Sequence, residues 1–219
     1  MLSAGLTFHS AAQALEAAGL IGPNAVIQLG QALRDHPGLG ERVFGRAGFL
    51  RLLTNPPDAM IAEAIPARLF GALWAEVPDL APAIAHRAGR LTGDYVRQNR
   101  IPRVARLVLR ALPARLAAPV LLKAIGKHAW TFAGTGQCLV AAGQPATVTI
   151  LDNPLTMPGG VWHVGVFETL FRGLVNPRAQ VIHTAMQVNG HPACRFQIDL
   201  APRPSTRLIQ IKAATGAAP

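Results

Sequence analysis

Apolar residues recur along this chain first with a helical period and later with a strand period. "GPNAVIQLGQALRDHPG" reads as a helix opened by Asn24 and closed before Pro37, with Val26, Leu29 and Leu33 as its buried stripe. "NPPDAMIAEAIPARLFGALWAEVPD" reads as helical from Asp58, with a kink or break at Pro66. "DLAPAIAHRAGRLTGDYVRQN" starts from an Asp79 cap and runs to about Asn99, before Ile101-Pro102. In "RVARLVLRALP", Arg103, Arg106 and Arg110 sit three and four apart and share one face, while Val104, Leu107, Val108 and Leu112 fall largely on another. "ARLAAPVLLKAIGKHAWTF" is a last helix of this series, interrupted by Pro119.

The period then changes. "QCLVAAG" and "ATVTILDN" have strand composition around a Gly143-Gln144-Pro145 turn. "GVWHVGVFETLFRGLVN" returns to helical spacing, with Val164, Phe167, Leu170, Phe171 and Leu174 on its buried face. "AQVIHTAMQVNGHPACRFQIDL" predicts two strands around the hairpin signal Asn189-Gly190, and "TRLIQIKA" could add one more. Helices first, then a small antiparallel sheet with one inserted helix, is an α+β layout. The expected organisation is an N-terminal arm over residues 1–22 and a single α+β domain over 23–213, followed by a tail over 214–219. Within the domain, 23–133 is the helical part and 134–213 contains the sheet.

Composition sharpens this picture. Half of the 219 residues are hydrophobic and 15% are charged, which suits a packed core rather than a disordered chain. No apolar run reaches the ~18 residues of a membrane span, and the N-terminus lacks the basic and apolar regions of a secretory leader. With only two cysteines, Cys138 and Cys194, the expectation is a reducing, cytoplasmic location. The net charge is +10 and unevenly placed, because no acidic residue occurs between Asp94 and Asp152. That interval holds Arg97, Arg100, Arg103, Arg106, Arg110, Arg115, Lys123 and Lys127. Such a block attracts anions: an acidic small molecule, an acidic partner, an anionic membrane surface or nucleic acid. No nucleic-acid-binding motif accompanies it, so nucleic acid is not an expected partner.

The chain has no dinucleotide fingerprint, P-loop, zinc-protease or cluster motif and no nucleophile elbow. No catalytic residue is assigned. Asp152, Glu168 and Asp199 are the few carboxylates of the C-terminal half, and Glu168 is placed to pair with Arg172 one turn on.

Five stretches, "IGPNAVIQL", "RQNRIPRVARLVLRALPARLA", "KHAWTFAGTG", "VWHVGVFETLFRGLV" and "NGHPACRFQI", together resemble a family of bacteriochlorophyll biosynthesis, its J proteins. The family is often labelled bacteriochlorophyll 4-vinyl reductase. The resemblance spans about residues 20 to 200. Its most specific blocks are Arg97–Gly136 and Trp162–Ile198. The second is also similar to the 4-vinyl-reductase domain, a small-molecule-binding module related to a subunit fold of the TRAPP complex. The resemblance therefore implies that fold, with N-terminal helices packed on a small antiparallel sheet. Some relatives of that domain bind zinc, at positions that fall here on Gly160, His183, Met186 and Cys194. Only Cys194 keeps a ligand of the same kind, so no metal is expected, and His183 with Cys194 is the weak alternative.

The resemblance also implies a tetrapyrrole ligand, a flat macrocycle with carboxylates and often a central magnesium. Such a ligand calls for apolar walls, stacking rings, cations and an imidazole. Lys127, His128, Trp130 and Phe132 supply these types, Trp162 and His163 repeat two of them, and Arg106 and Arg110 add charge. The expectation is a carrier of Mg-porphyrin or chlorophyllide with no intrinsic cofactor, the Mg-tetrapyrrole being its bound ligand. The alternative is a divinyl chlorophyllide 8-vinyl (4-vinyl) reductase using an external donor. Expected partners are pathway enzymes such as the magnesium chelatase large subunit or the Mg-protoporphyrin methyltransferase, an anionic membrane surface, or a second copy of the chain.

Overall fold

The computed structural model describes residues 19–200. The strand expected within "TRLIQIKA", the 214–219 tail and most of the N-terminal arm lie outside the described residues. A two-stranded ribbon pairs β1 (Leu20–Ile21) with β2 (Ile61–Ala62). Between them lie α1 (Asn24–Leu33), α2 (Leu39–Arg46) and the single turn α3 (Arg51–Thr54). Helices α4 (Ala64–Glu76) and α5 (Ala81–Tyr95) follow, and α5 runs on into a π-helical turn, Val96–Arg100. Then come α6 (Arg103–Ala111), α7 (Ala114–Lys127) and the single turn α8 (Trp130–Ala133).

The sheet is built from β3 (Gln137–Ala141), β4 (Ala146–Leu151), β5 (Gln180–Val188) and β6 (His191–Asp199), in the order β3-β4-β6-β5 and antiparallel throughout. Helix α9 (Val161–Leu174) connects β4 to β5. Both tight connections form at the turn residues the sequence offers. Asn189 and Gly190 take positive φ, as a two-residue hairpin turn requires. The core is continuous from Val26, Leu29 and Leu33 of α1 through Leu69 and Leu73 of α4 to Phe167 and Phe171 of α9 and Val148, Ile150, Phe196 and Ile198 of the sheet.

Several boundaries differ from the periodic reading, each for a local reason. Asn24 is the first helical residue of α1 rather than its cap, and its side chain caps nothing. Helix α4 starts at Ala64 instead of Asp58, because Ile61 and Ala62 are drawn into the ribbon. Pro66 thereby falls in the first turn, where its missing N–H has no intrahelical partner to lose. Leu80, not Asp79, occupies the cap position of α5. Helix α7 continues across Pro119, which is exposed, so the carbonyl it leaves free can be hydrated.

Helix α6 differs most. The face turned inward carries Leu109, its one buried residue, and Arg106 and Arg110 reach from that side to backbone carbonyls. The apolar positions Val104, Leu107 and Val108 face solvent.

Candidate functional site

Helix α9 enters from two glycines, Gly159 and Gly160, both in the left-handed region. A Cβ at Gly160 would stand 2.6 Å from His183 Cδ2 and 2.8 Å from Phe196 Cε1. Only glycine lets the β5–β6 pair close so tightly on the start of α9. On the other side, α5 crosses α9 backbone to backbone. A Cβ at Gly89 would lie 2.0 Å from Trp162 O, and one at Gly165 would lie 2.4 Å from His86 O. The first turn of α9, with Trp162 and His163, is thus held between a helix and the sheet.

His163 is fully buried, 0% exposed, among rings. Its centroid lies 4.8 Å from that of Trp162, 5.3 Å from Phe196, 6.1 Å from Phe167 and 6.2 Å from Phe132. Nε2 stands 3.4 Å from the Phe132 carbonyl oxygen. A carbonyl only accepts, so this contact places the ring proton on Nε2 and leaves Nδ1 a bare lone pair. Nδ1 has no hydrogen-bond partner among the described residues, and neither do Trp162 Nε1 and His183 Nε2. Burial pushes the His163 pKa down to about 3, outweighing the opposite pull of the Phe132 carbonyl, and the nearby His183 lowers it further. His183, 5.1 Å from the Phe196 ring, is also shifted down by burial. Three ring nitrogens without partners among the described residues, in one apolar cluster, are unusual in a packed interior, where such groups bind water or a ligand. Chemically, the seam offers a neutral imidazole lone pair walled by aromatic rings. Such a group accepts a hydrogen bond or ligates a metal centre.

The expected site residues divide into three groups. Phe132, Trp162 and His163 meet in this seam. Lys127, His128 and Trp130 stand exposed at the corner where α7 ends, with Trp130 54% exposed. His128 is the C-cap residue of α7, and its carbonyl accepts from Thr131 Oγ1. Arg110 Nε donates to Gly173 O at 2.9 Å and Arg106 donates to Arg97 O at 3.1 Å, so both guanidinium groups serve helix ends. The glycine turn after Phe132 is anchored separately, because Glu63 accepts from both the backbone N–H and the hydroxyl of Thr135 at 2.8 Å.

Cys194 is buried on β6 opposite Ala185, and His183 faces Phe196. Among the described residues, no group of three or more His, Cys, Asp or Glu could hold a metal ion. Glu168 does pair with Arg172, at 3.1 Å, and also lies 3.5 Å from His86. Sequence reasoning missed Phe196 and the role of His183 in the ring cluster. The signal was available: the two-residue turn at Asn189-Gly190 fixes the register that sets His183 opposite Phe196.

No family model matches the chain. It is similar to the bacteriochlorophyll synthase 23 kDa chain of Cereibacter sphaeroides, 42% identical over 186 residues that cover 81% of this chain and 89% of the relative. The protein of the same name from Rhodobacter capsulatus is 40% identical over 185 residues, covering 80% of this chain and 85% of the relative. Among solved structures, an H-NOX variant from T. tengcongensis superposes with a TM-score of 0.54 at 12% identity, covering 83% of this chain and 98% of the other. A second H-NOX structure, from work on heme distortion in that family, gives 0.51 at 10% identity, covering 84% and 97%. The fold is therefore of H-NOX type, which corrects the expected 4-vinyl-reductase and TRAPP-subunit fold. That expectation leaned on Trp162–Ile198, which is one helix and one hairpin. So small a unit can sit in more than one α+β architecture, and the helical half before it decides between them.

Proposed function

We propose, for a chain that belongs to the bacteriochlorophyll synthase 23 kDa chain family, that it is a tetrapyrrole-binding accessory protein of bacteriochlorophyll biosynthesis. It carries a Mg-porphyrin or chlorophyllide and presents it to pathway enzymes such as the magnesium chelatase large subunit or the Mg-protoporphyrin methyltransferase. The observation that carries this reading is His163, a neutral buried imidazole whose Nδ1 has no partner among the described residues and whose walls are aromatic. Those residues supply the chemical types the ligand calls for: a lone pair to accept from a ring N–H or to ligate a metal centre, and the Phe132, Phe167 and Phe196 rings for the macrocycle face. The relatives' name and a fold shared with a heme-binding family give further support. Entry of a macrocycle requires the seam between α9 and the sheet to open, which is a motion of packed elements.

Carrier and reductase separate in a transfer assay. Full-length protein preloaded with magnesium protoporphyrin and mixed with the methyltransferase should raise ester formation above that from free pigment. No increase would sink the carrier reading. A blue shift that develops only when NADPH joins chain loaded with divinyl chlorophyllide would establish vinyl reduction instead.

A further inference from the structure

Helix α6 places its hydrophobic residues on the side turned away from the protein. Val104 is 72% exposed, Leu107 66% and Val108 52%. The next helix continues the pattern: Leu116 is 52% exposed and Val120 54% exposed, while Ala117, Leu121 and Leu122 are buried beneath them. Lys123 and Lys127 follow on the same face of α7 at helical spacing, and Arg103 heads α6. Arg103, Lys123 and Lys127 make no ion pair among the described residues. No acidic residue occurs in sequence between Asp94 and Asp152. The inward arginines, Arg106 and Arg110, are tied to backbone carbonyls, which fixes which way α6 faces.

We propose that this face of α6 and α7 docks on an anionic lipid bilayer, lying on its surface. The charge complementarity is the argument. An aliphatic centre with cations at its ends and no carboxylate in either helix matches the boundary between acyl chains and anionic headgroups. The aliphatic side chains enter the boundary, and the lysine and arginine stems reach back to the phosphates. A protein partner fits less well, since the centre of the stripe is Val and Leu, which protein hot spots under-use. No helix of the described residues is long and apolar enough to cross a membrane, so docking is parallel to the surface. The proposal is independent of the pigment reading.

The test floats the full-length chain with vesicles of phosphatidylcholine alone and of equal parts phosphatidylcholine and phosphatidylglycerol. The chain should co-float with the anionic vesicles and not with the neutral ones. A Val104→Ser, Leu107→Ser, Val108→Ser triple variant should lose ~10-fold in affinity, and Leu107→Ser alone should lose part of it. These positions are exposed, so circular dichroism should be unchanged; if the triple variant misfolds, the single variant decides. An Arg103→Gln, Lys123→Gln, Lys127→Gln variant should bind more weakly, and the wild-type affinity should fall with salt. Failure to float with anionic vesicles overturns the proposal and leaves the stripe to an acidic protein or a second copy. Serine variants that bind as tightly as wild type also overturn it, because the chain would then adsorb by charge alone.

Discussion

His163 owes its neutral state to burial, and that ties stability to pH in one direction. In the unfolded chain its pKa returns to the ordinary value near 6.5, whereas in the folded chain it is about 3. The unfolded state therefore binds the extra proton across this interval, and stability falls as pH drops from about 6.5 toward 3. The slope from this one group approaches about 1.4 kcal/mol per pH unit. Urea melts of His163→Gln between pH 7 and 4 should show a slope shallower by up to that amount. An unchanged slope would mean that His163 already titrates normally in the fold. The sequence singled out His163 through its neighbour Trp162 but could not rank it above His128. His163 adjoins a Trp and His128 lies two positions from one, and only packing decides that one is enclosed and the other exposed.

At the scale of elements, the helix faces were less legible than the helices. The period of "RVARLVLRALP" divides α6 into a basic and an apolar side, but it does not say which side meets the protein. Backbone carbonyls at the ends of α9 and of the π turn draw the arginines inward and leave the aliphatic side outside. Replacing Arg110 with Met should cost about 1 kcal/mol by freeing the Gly173 carbonyl, read as a shift in urea midpoint. The α5–α9 crossing gives a sharper prediction. Gly165→Ala puts its methyl against the His86 carbonyl, a backbone atom that cannot swing away. It should cost about 3 kcal/mol, and a variant as stable as wild type would show that the helices do not cross so closely. Hairpins were the easiest elements to read, since turn chemistry is local. The β1–β2 ribbon joins residues some forty positions apart and left no sequence pattern.

For the whole molecule, the sequence carried the resemblance to a pigment-pathway family but misassigned the architecture. Five short blocks suffice to match relatives, whereas a fold is fixed by how the helical half packs on the sheet. That packing rests on glycines at the α5–α9 crossing and at Gly160, and on Glu63 anchoring the turn at Thr135. Together these place a buried imidazole at the seam of the two halves. The proposal that this seam receives a tetrapyrrole through His163 rests on that placement. Its most direct test is an absorption titration of the cofactor-free, full-length chain with magnesium protoporphyrin, run beside His163→Gln. Glutamine can keep a donor toward the Phe132 carbonyl while exchanging the imidazole Nδ1 for an amide oxygen, which changes the group that would perturb the pigment. The wild type should bind saturably with a shifted pigment spectrum, and the variant should lose that shift. Identical titrations for a folded variant, or no saturable binding by either protein, would contradict it.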